Sequence, residues 1–369
     1  MRETEVLIVG AGPAGATAAI NLALFRRVLL IESKADLHPR IGESLVPAAR
    51  RLMADMALLE SFLAEGHEPW HGNVAVWGGP EAQEIDFLRD PDGHGWHLDR
   101  ARFEQWLRDM AIARGADLLI PATLDRIERE GQRWRVSLKT AEGPRLVACN
   151  LVIDAGGRAA PVARKLGVTA RADDRLICAW LYGRDQRDNG RGLTYVEAVE
   201  DGWWYTAPLP CGRRVLAFHT DADLPSAQII RERKRLFECS KTVKGLSTLL
   251  AVVEFMPESE SGINAANGAI LDPPANEGWL AVGDAALSFD PISSQGLLNA
   301  MFTGLAAAEA ADRNLRGDRL SLSEYAKVIR GIRDSYLQHL ALCYSAEMRW
   351  PDAQFWRRRH ALTQDAIQR

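Results

Sequence analysis

No Cys-x-x-Cys pair occurs in this chain, and its five cysteines stand far apart, at Cys149, Cys178, Cys211, Cys239 and Cys343. An odd, scattered set excludes a disulfide framework or a zinc site as the organising device and predicts reduced thiols in a cytoplasmic protein. Long apolar runs are missing too. None reaches the ~18 residues that a spanning helix needs, so no membrane segment is expected. The first residues run straight into a strand-like stretch, so no secretory signal is expected. Charge of one sign is also lacking: 45 basic and 49 acidic residues give a net charge of −4, no field for nucleic acid or a membrane surface. Internal repeats and low-complexity tracts do not stand out. What is present is ordinary globular composition, 47% hydrophobic and 25% charged over 369 residues, enough for a sizeable core and two intertwined domains.

The most informative stretch is Glu5 to Glu32. Val6 to Val9 is a short apolar, branched run of the kind that forms a buried parallel strand. It leads into Gly10-Ala11-Gly12-Pro13-Ala14-Gly15, then an alanine-rich helix, then a second strand, Val28 to Ile31, ending at Glu32. This order is a dinucleotide-binding βαβ unit. Gly10 permits the tight turn, Gly12 lets backbone approach a pyrophosphate, and Gly15 lets helix pack close to strand. The helix N-terminus would face the phosphates. Glu32 can accept hydrogen bonds from an adenosine ribose and would repel a 2′-phosphate. No second fingerprint of this type occurs, so no separate nicotinamide domain is expected.

Further along, Ala48 to Glu65 reads as one helix, and His67 to Gly79, which alternates weakly over Asn73 to Trp77, as a strand of a second sheet. Asp99 and Arg100 open a helix spaced by Phe103, Trp106, Leu107 and Met110. Three short strands (124–127, 134–139, 145–148) read as a meander that closes on Leu151-Val152-Ile153-Asp154-Ala155-Gly156-Gly157. Residues 171–264 alternate like antiparallel strands around one helix, roughly Ser226 to Glu238, which predicts a separate sheet. Gly278 to Asp284 is again a strand, ending in Gly283-Asp284. A loop, Asp290 to Gly296, and an alanine-rich helix from Leu297 to Asn314 follow. In the last long helix, from Ser321 to Tyr344, Ser321 and Glu324 suggest a capping box. Tyr325, Val328, Ile332, Tyr336 and Leu340 suggest its buried stripe.

Three separated pieces therefore point at one ligand: the opening GAGPAG, Asp154-Ala-Gly-Gly-Arg158 with Arg164 behind it, and Gly283-Asp284 with Pro291 and Gly296. This triple resembles the FAD-dependent aromatic hydroxylase superfamily. The resemblance implies an α/β fold: a Rossmann-like FAD-binding domain of glutathione-reductase type beneath an antiparallel β-sheet substrate lid, with C-terminal helices. On that plan residues 1–70, 98–170 and 265–315 bind FAD, 71–97 and 171–264 form the lid, and 316–369 are helical. FAD would be held by Gly10, Gly12, Pro13, Ala14 and Gly15, by Glu32 and Ser33, and by Gly42, Glu43 and Ser44. Asp154, Gly156, Gly283, Asp284, Pro291, Gln295, Gly296 and Leu297 complete the implied set. Asp284 would bond the ribityl chain, and the helix near Gly296 would face flavin N1 and O2. Arg40 and Arg100 are read either as neutralising the diphosphate or as ordinary surface arginines.

Within the superfamily the chain resembles the tryptophan-halogenase-like branch. Gly42-Glu43-Ser44-Leu45 is similar to its GES loop. Gly202-Trp203-Trp204-Tyr205-Thr206-Ala207-Pro208 lies where halogenases carry Trp-x-Trp-x-Ile-Pro. Two departures argue against halogenation: Asn73 stands where the halogenase lysine is, and Ser293 replaces the second glutamate of the loop Glu-Pro-Leu-Glu-Ser-Thr-Gly. A branch without these groups matures quinone-cofactor enzymes by hydroxylating a tryptophan in a partner protein. The segment Glu347-Met348-Arg349-Trp350-Pro351, with Phe355 to Arg359, resembles tails in that branch.

The resemblance implies a monooxygenase acting through a C4a-hydroperoxide of reduced FAD on an electron-rich ring, an indole, either a small aromatic molecule or a tryptophan in a partner protein. Oxygen is the co-substrate; electrons come from NAD(P)H or a separate flavin reductase. Pocket candidates are Asn73, Trp77, Trp203, Trp204 and Tyr205, each of which also reads as lid core. His71, His94 and His97 read either as acid–base groups or, preferably, as surface or structural histidines, and no metal site is expected. Arg357-Arg358-Arg359 reads as a solvated face. A halogenase with altered steering groups, an isoprenoid-type FAD reductase and a flavin-binding assembly factor without turnover are the alternatives.

Overall fold

Strands that are apolar on both faces need cover on both faces. Val6–Val9, Val28–Ile31, Leu151–Asp154 and Trp279–Ala281 are all wholly buried. In the computed structural model, which describes residues 2–37, 40–187 and 191–367, they share a six-stranded sheet with Asp117–Leu119 and Ala275–Asn276. The spatial order is 275–276, 279–281, 151–154, 6–9, 28–31, 117–119, and every pair is parallel except the 275–276/279–281 hairpin. The chain leaves the central strand at Gly10. Its φ is +108°, and a Cβ there would lie 2.3 Å from the Ala155 carbonyl oxygen, so only glycine fits.

The helix Pro13–Leu22 covers this sheet and is itself covered by Arg100–Ala113 and Gly296–Leu315. Its small residues let the neighbouring axis come close. A Cβ on Gly304 would sit 2.4 Å from the Ala14 carbonyl oxygen and 3.0 Å from Thr17 Cβ. The meander Ala122–Glu130, Arg133–Thr140 and Gly143–Cys149 delivers the chain to the sheet, and Arg2–Glu3 adds to its edge in parallel.

A seven-stranded sheet lies apart, in the order 256–265, 176–184, 213–221, 202–209, 193–199, 72–76, 83–86. Its pairs are antiparallel with one exception, Leu193–Val199 beside Gly72–Val76, which is parallel and departs from the expected all-antiparallel lid. No hairpin joins these two segments, so nothing local dictates their direction. Alternation along the strands creates two faces. Cys178, Tyr182, Trp203 and Ala217 pack on one face with Tyr344, Phe355 and Trp356 of the C-terminal helices. Leu181, Trp204, Leu216 and Phe218 pack on the other under the helices Arg233–Ser240 and Lys244–Val252. Gly95–His97, expected with the lid, instead pairs with Ser44–Leu45 and Glu68–Trp70 in a small sheet of its own.

Several local expectations are corrected. The helix read over 48–65 breaks into Ala49–Asp55 and Leu59–Leu63. Ala57 takes φ +53°, with Leu58 N–H donating to Met53 C=O at 2.8 Å and Ala57 N–H to Ala54 C=O at 2.9 Å. That is a Schellman stop with alanine where glycine is usual. Glu254, at φ +49°, ends Lys244–Val252 similarly, and the single helix read over 226–238 is instead Pro225–Ile229 and Arg233–Ser240. The capping box is not formed. Leu320 is the N-cap, its N–H donates to Asp318 at 3.0 Å, and Glu324 pairs with Arg313 at 2.7 Å. On that helix Ile329 is buried, and Val328 is 42% exposed.

Of the arginine run only Arg357 is exposed to solvent. Arg359 is 4% exposed and donates to Asp221 at 2.9 Å. Arg358 reaches Asp221 and Asp223, both at 2.8 Å. All five cysteines are free. Among the described residues no helix is long and apolar enough to cross a membrane.

Gly304→Val is expected to cost about 2 kcal/mol or more, because the clash is with backbone and cannot be relieved by a rotamer change. Urea denaturation of the variant checks this; an unchanged midpoint contradicts the packing described.

Candidate active site

Two helix N-termini open on one side of the six-stranded sheet. Pro13–Leu22 begins at Gly12 and Gly296–Leu315 at Gln295, and neither N-cap residue caps its helix with its own side chain. A Cβ on Gly12 or on Gly296 would meet nothing within 4 Å, so both termini look onto open space. Unsatisfied N–H groups and the positive dipole ends make such termini anion sites. Between them stands Asp284. Gly283, at φ +55°, brings it in: a Cβ on Gly283 would lie 2.8 Å from Ala14 Cβ. The Asp284 side chain is 42% exposed, yet burial raises its pKa above the ordinary value, with the charges of Arg158 and Arg100 opposing. A carboxylate that is both reachable and crowded lies in a recess. Arg158 Nε is 3.6 Å from it.

Glu32 sits at the end of Val28–Ile31. One carboxylate oxygen accepts from Ala11 N–H at 3.0 Å; the other accepts from Ser33 O–H and Lys34 N–H, both at 3.0 Å. Burial pushes its pKa up, but these bonds and the charge of Arg108 outweigh it and hold the carboxyl below the ordinary value. Arg108 escaped the sequence reading. It is 2% exposed, donates to Ala11 C=O at 3.1 Å and lies 3.7 Å from Glu32. Its place on the helix Arg100–Ala113 gave no polar signal.

Other expected cofactor residues have different duties. Asp154 is 0% exposed, and its oxygens accept from the N–H groups of Gly156, Val162 and Ala163 at 3.1, 2.8 and 2.9 Å. It fixes the turn after its strand and has no surface for a ligand. Burial, opposed by these bonds, raises its pKa to about 6. Gly156 is tied into the same turn, since a Cβ there would meet Pro161 at 2.2 Å. Glu43 is 1% exposed and accepts from Tyr182 O–H at 2.7 Å and Gly42 N–H at 2.9 Å. It pegs the 40–45 loop to the lid rather than facing the recess. Arg100 donates to Gly42 C=O at 2.7 Å and to Glu104 at 2.5 Å, while its buried Nε has no partner. Arg40 extends to within 3.8 Å of Glu104. Pro291, Gln295 and Gly296 are exposed, and Leu297 turns inward at 8% exposure.

The lid presents its inner face to this recess. Trp77, Trp203 and Tyr205 belong to the inner aromatic cluster, and Asn73 lies two alternations from Trp77 on the same side. Trp204 does not join them. It lies on the outer face, 4.7 Å from the ring of Phe218, because neighbours along a strand point oppositely. Tyr205 meets Ser44 across the groove, hydroxyl to hydroxyl at 3.0 Å. Trp77 donates to Cys343 C=O at 2.9 Å, and its ring lies 5.9 Å from Tyr344 and 5.3 Å from Trp356. These last two residues complete the aromatic wall; the last long helix and the tail supply them, at positions not foreseen as pocket. Of the histidines, His97 is fully buried on Thr194 at 2.8 Å, and burial lowers its pKa to about 3, so it stays neutral. His71 and His94 face each other at 5.5 Å, and His94 bonds Gly95 C=O at 2.8 Å.

The donor set fits FAD: two open helix N-termini, an acid after the second strand, a recessed aspartate and an orphaned buried guanidinium nitrogen. Gly12, Glu32, Asp284 and Gly296 could hold it. Residues 3–183 match the family described as FAD binding domain. The chain is similar over nearly its whole length to FAD-dependent oxidoreductases of the aromatic-hydroxylase and halogenase-like superfamily. It is 29% identical over 372 residues, 98% of either chain, to a protein provisionally named FAD-dependent oxidoreductase LodB, of Marinomonas mediterranea. It superposes on the flavin-dependent halogenase CmlS with TM-score 0.85 at 26% identity, over 100% of this chain and 70% of that one. QhpG, a peptidyl tryptophan dihydroxylase essential for tryptophylquinone cofactor biogenesis, shares the fold with TM-score 0.75 at 21% identity, over 97% and 78% of the two chains.

Gly12→Val separates cradle from scaffold. With φ −76° and open space at its Cβ, stability is expected to hold within ~0.5 kcal/mol, while FAD affinity falls about a hundredfold or more. Flavin-fluorescence titration alongside thermal unfolding reads both; tight FAD binding by the variant contradicts the assignment.

Proposed function

We propose that this flavoenzyme hydroxylates the indole ring of a tryptophan carried by a partner protein. The carrying observation is the makeup of the lid's inner face and the helix packed on it: the rings of Trp77, Trp203 and Tyr205 with Tyr344 against them, Asn73 beside them, and no lysine. Lys34, Lys139 and Lys165 belong to the FAD-binding part, and Lys234, Lys241 and Lys244 lie on or beside the lid's outer helices. Lys327 is on an exposed side of Ser321–Ser345. Ser293, at the other departure from halogenases, spends its hydroxyl on Asp290 C=O at 2.9 Å. Among the described residues no lysine lies on this face to steer a hypohalous acid, whereas hydroxylation needs a dry pocket, a held ring face and a proton.

Bound FAD, once reduced, would supply the oxygen-activating redox chemistry. The chain's own groups supply the rest. The buried rings of Trp203 and Tyr344 exclude water from behind, and the half-buried Trp77 and Tyr205 are left to meet the substrate ring. Burial and the nearby Glu43 charge raise the Tyr205 pKa, so its hydroxyl keeps its proton, and one O–H of the bonded Tyr205–Ser44 pair is left to donate. With one dinucleotide fingerprint, electrons arrive from transiently docked NAD(P)H or a separate flavin reductase. QhpG, with its peptidyl substrate, is the precedent for a protein-bound indole on this fold. Likeness to CmlS supports a second reading, halogenation.

Mass spectrometry separates the two. FAD-loaded protein is reduced, then mixed with isotopically labelled oxygen, bromide and a tryptophan-containing peptide. The expected product carries labelled oxygen on the indole and no bromine. A brominated peptide, or reoxidation that leaves every indole substrate unmodified, overturns the proposal.

A further inference from the structure

One buried acid near the recess has no part in the chemistry above. Asp290 is 1% exposed and precedes the loop into Gly296–Leu315. Every polar atom it has is engaged. Its carboxylate accepts from Ile292 N–H at 2.9 Å and from Tyr344 O–H at 2.7 Å. Its carbonyl accepts from Ser293 N–H at 3.1 Å and Ser293 O–H at 2.9 Å, and its own N–H donates to Tyr336 at 2.8 Å. Tyr344 in turn accepts from Trp203 Nε1–H at 3.3 Å. A line of hydrogen bonds therefore runs from an indole on the lid, through the helix Ser321–Ser345, to the loop that sets where Gly296 begins its helix.

We propose that Asp290, held by Tyr344, is a positioning residue for the loop Pro291–Gly296, and that its charge, reported through this loop, tunes the flavin. The proposal rests on the reading that the flavin ring lies at the Gly296 helix terminus, and is independent of the substrate. Two physical arguments support it. The turn Pro291–Ser293 is closed by the Asp290 side chain, and the next residue, Ser294, sits at φ +52°, so the loop has little freedom while the carboxylate holds it. A carboxylate also opposes the positive end of the helix that would face the ring, which disfavours negative charge on reduced flavin.

The groups facing Asp290 set its charge. Burial and the negative charge of Asp174, which precedes Leu176–Arg184, favour the neutral acid. Arg359 of the last helix, the Ile292 N–H and the Tyr344 hydroxyl favour the anion; Tyr336 and Cys343 also lie against it. Burial dominates and raises the pKa to about 6. Asp290 is thus neutral below that pH and anionic above it.

The test uses FAD-loaded protein and reads the flavin midpoint potential and visible spectrum against pH. Wild type is expected to show an inflection near pH 6. Asp290→Asn is expected to abolish it and to raise the potential above that pH, with FAD affinity changed less than about tenfold. Tyr344→Phe removes a bond that favours the anion, so its inflection is expected to move to higher pH, and this shift decides the matter if Asp290→Asn does not fold. An inflection that persists in Asp290→Asn, or does not move in Tyr344→Phe, overturns the proposal. Gly296→Val is the control on the underlying reading. If it leaves FAD binding and spectrum untouched, the flavin does not lie at this terminus and both statements fall. If it disturbs them while the Asp290 and Tyr344 variants do not, only the positioning role falls.

Discussion

The close crossing of Pro13–Leu22 and Gly296–Leu315 is the constraint on which the rest depends. Glycine at 304 lets the second helix rest on the backbone of the first, and glycine at 283 lets the strand end between them reach Ala14. Because the axes are so near, both helices open onto the same recess. Any residue larger than glycine at the crossing would separate two partial positive charges that act jointly on one ligand. The parallel sheet beneath supplies the height: Gly10 and Gly283 both follow the C-terminal ends of strands, where such sheets place their ligands.

The lid is attached by polar pegs and an aromatic seam rather than by a continuous core. Glu43 with Tyr182, Ser44 with Tyr205 and His97 with Thr194 join the FAD side to the sheet. Arg358 and Arg359 with Asp221 join the C-terminal helix to it. Buried pairs of this kind add little net stability because desolvation offsets attraction, but a missing partner is costly, so they select one arrangement. The ring of Phe355 under the Arg359 guanidinium, 3.4 Å away, belongs to the same selection.

The FAD-binding half was legible because its turns demand glycine and its strands are apolar throughout. The lid strands were legible by alternation, and the same alternation carries the signal that separates Trp204 from Trp203 and Tyr205. Elsewhere the chain departs from the usual code. Ala57 and Glu254 take left-handed conformations without glycine, so the helix ends they make left no mark. Gln83–Asp86 is exposed throughout and Met256–Ala265 nearly so, with Pro257 within the latter; edge strands of that composition carry no pattern of burial. Asp154 and Arg359 look like surface or ligand groups in a sequence and prove to be interior fasteners. Charge says nothing of burial when the partner is far along the chain.

The parallel junction in the lid has a consequence for how the chain is made. Gly72–Val76 and its hairpin partner Gln83–Asp86 leave the ribosome long before Leu193–Val199, the strand that must dock between them and the rest of the sheet. Until then one edge of that hairpin stays open, and the central strand Val6–Val9 likewise waits for Leu151–Asp154. The nascent chain thus carries two unpaired strand edges through much of its synthesis, the condition under which misassembly competes with folding. Slow elongation would prolong that exposure, and a chaperone that shields early strands would shorten it.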